Sequence, residues 1–196
     1  MVTPAPADTP VLLFKTPKAW ATWLAKHHDQ SRGVWMRLAK KGSGVTSATY
    51  PEALDVALCY GWIDGQKKAE DERHWLQKFT PRGARNMWSK INCGKAEALI
   101  AQGLMKPAGL KEVERARPAG RWDAAYDGQQ DITVPADLQS ALDANEKAKA
   151  FFATLNSVNR YAILFRTHNA KRPETRARRI TQLVDMLARH EKIHSK

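Results

Sequence analysis

Tyr50 to Asn92, YPEALDVALCYGWIDGQKKAEDERHWLQKFTPRGARNMWSKIN, is the stretch on which the reading of the chain turns. Pro51 suits the first turn of a helix, Glu52 favours the positive end of its dipole, and Leu54, Ala57 and Leu58 make an inward stripe that Gly61 ends. Trp62–Lys68 and His74–Phe79 then read as two strands, with β-type bulk in Trp62, Trp75, Leu76 and Phe79 and an acidic turn at Ala69–Glu72. Pro81 and Gly83 break the second strand. A helix is expected from Ala84 to Gln102, with Trp88, Ile91, Lys95 and Leu99 along one side.

The same stretch holds three of the seven Trp residues beside a run of cations and amides. Indole rings supply area while Lys, Arg and Asn supply direction, a combination suited to a flat or anionic ligand. The candidate binding residues are Trp62, Asp64, Lys67, Arg82, Arg85, Trp88, Lys90 and Asn92, with Lys68 beside them. Arg82 or Arg85 can fork onto a phosphate or carboxylate near the free N–H groups of a helix start. The competing reading puts Trp62 and Trp88 in the core, pairs Asp64 with a neighbouring Lys and leaves the Arg side chains in water.

Upstream, Val11–Phe14 is a short β-compatible run, and Pro17 opens a helix carrying Trp20, Trp23 and Leu24 that Gly33 closes. From Gly33 to Lys40, Val34, Met36 and Leu38 alternate with Trp35, Arg37 and Ala39, the period of a half-buried strand, before the turn at Lys40–Gly44. Downstream, a short helix follows Pro107, with Leu110 and Val113. Helical patterns then cover Pro135–Ala144, Glu146–Leu155, Val158–Ala170 and a last segment from Pro173 with Ile180, Leu183, Val184 and Leu187 on one face. The expected organisation is a proline-rich flexible arm at 1–10, an α+β domain at 11–117, an aperiodic linker at 118–134 and a helical part at 135–196. The fold class expected is α+β, a small mostly antiparallel sheet covered by helices.

With 196 residues, 43% hydrophobic and 27% charged, the chain can bury a real core. A net charge of +12 and a pI near 9.9 favour polyanionic partners: an anionic small molecule, an acidic protein surface or nucleic acid. Residues 160–196 hold ten basic and three acidic side chains, net +7. Within them Lys171, Arg172, Arg176, Arg178 and Arg179 form the alternative, nucleic-acid contact, spread around the helix rather than aligned in a groove-reading row.

Cys59 and Cys93 make no disulfide framework and read as buried, inert thiols in a reducing compartment. Residues 1–16 lack a basic n-region and a long apolar core, and no apolar run approaches the ~18 residues of a membrane helix, so a cytoplasmic protein with no transmembrane segment is expected. His190–His194, HEKIH, matches the zinc pattern H-E-x-x-H, but only Ser195 and Lys196 follow it and no third ligand is supplied, so no metal is expected. No nucleophile elbow, phosphate loop or dinucleotide fingerprint occurs, and no catalytic residue or cofactor is assigned. Asp64 or His74 as acid or base of an enzyme on an unfamiliar substrate is the remaining catalytic alternative.

The blocks GVWMRLAKKGSG (33–44), YPEALDVALCYGWIDGQKK (50–68), FTPRGARNMWSKIN (79–92), MKPAGLKEVE (105–114) and NRYAILFRTHNAKRPETRARRI (159–180) resemble the bacterial YdeI/OmpD-associated, or bacteriocin-protection, family over nearly the whole chain after the arm. The segment from about Val134 onward is similar to the family's named C-terminal domain. The resemblance implies a non-enzymatic stress or antimicrobial-peptide-resistance protein, with no catalytic residue to carry across. A charge of +12 repels rather than traps a cationic peptide, which points to an anionic ligand.

Overall fold

A computed structural model of the chain describes residues 9–195. Most of the arm expected at 1–10 lies outside them. The chain divides into two compact units: one runs through Trp88 and takes in Asn92–Ala124, and the other takes in Ser89–Ile91 and everything from Ala125 onward.

The first unit is built on a four-stranded sheet. β1 (Val11–Leu13), β2 (Val34–Ala39), β3 (Trp62–Ala69) and β4 (His74–Pro81) lie in the order β1-β2-β4-β3. β1 and β2 are parallel because α1 (Pro17–His27) carries the chain across, while β4 runs antiparallel to both β2 and β3. The mostly antiparallel α+β architecture read from the sequence is the one observed.

The alternation in β2 is realised: Val34, Met36 and Leu38 are buried and Trp35, Arg37 and Ala39 half-buried. Directly paired residues share a face, so the buried Phe79 and Gln77 and the half-buried Trp75 lie on the side of Val34, Met36 and Leu38, and Lys78, the buried Leu76 and His74 lie with Trp35 on the other. On the core face Trp20 packs against Trp62 at 6.0 Å and Phe79 at 5.8 Å, and its indole N–H donates to the Ala53 carbonyl at 3.1 Å.

α2 (Tyr50–Cys59) starts at a complete capping box, Thr49 with Glu52, and ends where Gly61 takes a φ of 71°. α4 (Pro107–Ala116) comes so close to that end that a Cβ on Gly109 would run into the Cys59 carbonyl oxygen.

α3 corrects the sequence reading. It spans Lys90–Ala101, six residues shorter at its start than expected, and its buried side is Asn92, Cys93, Ala96 and Leu99, while Ile91 is 53% exposed. Ala84–Ser89 is a turn instead: Asn86 N–H donates to the Gly83 carbonyl, and the Arg82 guanidinium donates to the Met87 carbonyl at 3.0 Å, so that the carbonyl meets a cation rather than a helical N–H.

In the second unit α5 (Ala136–Asp143), α6 (Glu146–Ala153), α7 (Ser157–His168) and α8 (Pro173–Ala188) enclose Leu138, Leu142, Phe152, Ile163, Leu164, Leu183 and Leu187. Asn145 and Asn156 cap α6 and α7 by accepting from the N–H groups of Ala148 and Asn159. The tail after α8 is held. Asn159 donates to the His194 carbonyl at 3.2 Å and accepts from its N–H at 2.9 Å.

Candidate functional site

The β3–β4 hairpin is where the structure gathers cations and rings. β3 is interrupted between Asp64 and Lys67, where two residues, Gly65 and Gln66, oppose one on β4. The buried Gln77 amide closes around this bulge, donating to the carbonyls of Gly65 at 3.0 Å, Gln66 at 3.2 Å and Lys78 at 3.3 Å. The extra residue changes the parity of everything after it. Lys67 pairs with Gln77 and lies on the Trp75 side, while Lys68 pairs with Leu76 and lies on the Trp35 side.

Each lysine then finds an indole. Lys67 Nζ sits 4.3 Å from the centroid of Trp75, and Lys68 and Lys78 sit 4.5 and 5.6 Å from that of Trp35. None of these three ammonium groups forms an ion pair among the described residues. Trp75 closes one side of a cleft of about 390 Å³ lined also by Ala39, Lys40, Lys41, Lys67 and Ala69. Trp35, Trp75 and Lys78 were absent from the sequence-derived set. The outward position of Trp35 in the β2 alternation was the signal for it, but only the strand register brings the lysines over it.

The sequence-derived residues scatter. Trp62 is 1% exposed, donates its indole N–H to the His28 carbonyl at 3.0 Å and belongs to the core. Trp88 is 3% exposed and lies under the Arg82 guanidinium, 3.7 Å from its centroid, with Trp122 at 4.8 Å. Arg82 is itself 5% exposed, and its carbonyl accepts from Arg115. Asn92 is buried, Asp64 accepts from the Tyr50 hydroxyl at 2.7 Å, and Lys90 pairs with Asp127 at 2.6 Å. Arg85 is exposed in the turn before α3. Lys67 is the residue of that set placed over an indole of the hairpin, on the sheet face opposite Lys68 and Lys78.

On α8, Arg176 is committed to Asp137 through two bonds of 2.5 and 2.8 Å and to the Thr167 carbonyl, which holds the Asp137 carboxyl below its usual range. Lys171, Arg172 and Arg178 are exposed and Arg179 is half-buried.

The acid–base and metal candidates resolve into structural contacts. Asp64 pairs in register with Phe79, five residues along β4 from His74, about 17 Å away. Glu70, Asp71 and His74 bring ligand atoms within 4.8 Å at the hairpin tip, but Glu70 is taken by Arg37 and Asp71 by the N–H groups of Arg73 and His74. His190 lies beyond the end of α8 with a φ of 60°, stacked on Phe151, so the helical spacing that makes H-E-x-x-H a zinc motif is not formed. Among the described residues no helix is long and apolar enough to cross a membrane.

A family model described as "Domain of unknown function (DUF8412)" matches residues 12–112, just over half of the chain. A second, described as "Bacteriocin-protection, YdeI or OmpD-Associated", matches residues 131–190. No curated protein and no solved structure matches. On these matches the chain belongs to the DUF8412 family, and residues 131–190 of its helical part match the bacteriocin-protection, YdeI or OmpD-associated model.

Proposed function

We propose that the protein acts by recognition rather than reaction, binding a polyanionic ligand or partner in the cytoplasm through the lysine–indole pairs of its hairpin, Lys67 with Trp75 on one face of the sheet and Lys68 and Lys78 with Trp35 on the other. The observation that carries this reading is the placement of three ammonium groups over Trp35 and Trp75 with no carboxylate partner among the described residues. A cation held against an indole face gives up part of its freedom before any ligand arrives yet keeps its N–H donors, so less entropy is lost on binding. Lys40 and Lys41 extend the positive field into the Trp75 cleft. The family match supports a bacterial stress-related protein. The separation of Asp64 from His74, and burial that raises the pKa of both Cys59 and Cys93, favour binding over catalysis.

Calorimetric titration of the full chain with tripolyphosphate, an acidic peptide and a single-stranded oligonucleotide, each at low and physiological salt, tests this. At least one of the three binds and weakens as salt rises. The triple variant K67E/K68E/K78E binds it about tenfold or more weakly with its fold intact, whereas R178E/R179E binds as the wild type does. If none of the probes binds, or the α8 variant is the one that loses binding, the hairpin surface is not the site.

A further inference from the structure

The first unit also carries a cleft of different chemistry, sharing no residue with the lysine–indole pairs. Glu52, Asp55, Val56, Cys59 and Tyr60 recur on α2 at the spacing of one helical face, and Lys95, Ala98 and Leu99 do the same on α3. These two faces, with Pro17 and Ala21 of α1 and the segment Gln102–Lys106, enclose about 570 Å³. That is the size of a small-molecule site, and most of its wall is apolar. The exposed Leu104 stands at its edge.

The charged groups in the wall are already committed, with one exception. Asp55 is paired with Lys95 at 2.6 Å, joining α2 to α3. Glu52 accepts from the Thr49 backbone and hydroxyl, which keeps its carboxyl below the usual range. Burial pushes the Cys59 thiol and the Tyr60 hydroxyl up, so both are neutral at physiological pH. Lys106 makes no ion pair among the described residues, and its backbone N–H is tied to the Cys59 carbonyl at 3.0 Å. The cleft is therefore an apolar trough with one uncommitted cation at the Cys59–Tyr60 end. Along α2 it runs from Glu52 to Tyr60, about 12 Å.

We infer that this cleft binds an amphipathic monocarboxylate: an aliphatic chain of medium length lying between α2 and α3, with its carboxylate on the Lys106 ammonium and the Tyr60 hydroxyl as a neutral donor beside it. A diacid or a polyphosphate does not fit this arrangement, because Asp55 and Glu52 line the remainder of the trough. The inference is independent of the hairpin surface.

The test is calorimetric titration of the full chain with hexanoate, octanoate and decanoate, and with decanol as the neutral control. Binding tightens by about fourfold per methylene along the series until the trough is full. Lys106→Glu weakens decanoate by about tenfold or more and leaves decanol unchanged. Ala98→Trp, at an exposed position of α3 that tolerates a large side chain without disturbing the core, weakens both ligands. K67E/K68E/K78E binds decanoate as the wild type does. Circular dichroism checks that each variant keeps the wild-type thermal midpoint. No binding by any of the carboxylates, or decanoate binding indifferent to both Lys106→Glu and Ala98→Trp, overturns the assignment.

Discussion

Arg82 packs its guanidinium over Trp88, bonds Met87 through its side chain and offers its carbonyl to Arg115, so one residue ties together the turn that replaces the first part of the expected helix. Arg82→Ala removes an enclosed cation–π contact and a charge-assisted hydrogen bond and should cost about 3 kcal/mol. Arg85→Ala, at an exposed position three residues on, should stay within about 0.5 kcal/mol. Urea denaturation of the two variants separates a structural arginine from a solvated one. Cys93 makes a prediction in pH. Burial lifts its thiol from an ordinary 9.0 to about 11, so folding favours the neutral form. The stabilisation is complete below the ordinary value and is lost as pH rises through 9 towards 11. Denaturation midpoints measured across that window should fall more steeply for the wild type than for Cys93→Ala.

At the scale of elements, two contacts decide geometry that the local sequence leaves open. The bulge in β3 is held by Gln77, and a strand that slipped past it would exchange the faces of Lys67 and Lys68. Gln77→Leu leaves the bulge carbonyls without their donor, should cost about 2 kcal/mol and should weaken polyanion binding at the same time, measured by denaturation and titration of one preparation. The approach of α4 to the end of α2 rests on Gly109, where an added methyl would run into the backbone of Cys59 rather than a side chain able to turn aside. Gly109→Ala is expected to cost about 3 kcal/mol, read as a lowered thermal midpoint. Most helices and strands were legible from periodicity and caps, because each is set by neighbours a few residues away. α3 was not, because the residues expected to begin it are held by Arg82 and, at Ser89, by pairing with Tyr126, thirty-seven positions downstream.

For the whole molecule the governing quantity is charge. A chain at +12 repels itself, so raising ionic strength from low values to ~0.15 M should lift the thermal midpoint by about 2–4 °C. Polyanion binding should weaken over the same range, and the opposite directions of the two readings distinguish screening of the protein's own field from loss of fold. The sequence alone determined the α+β class, the order of elements, the positive balance and the presence of lysines and indoles around the hairpin, since composition, period and turn chemistry are local properties. Which indoles are enclosed and which carry lysines was decided only by the tertiary structure. A strand's two faces become core and solvent only when helices cover one of them, and a single extra residue in β3 reverses which lysine reaches which ring.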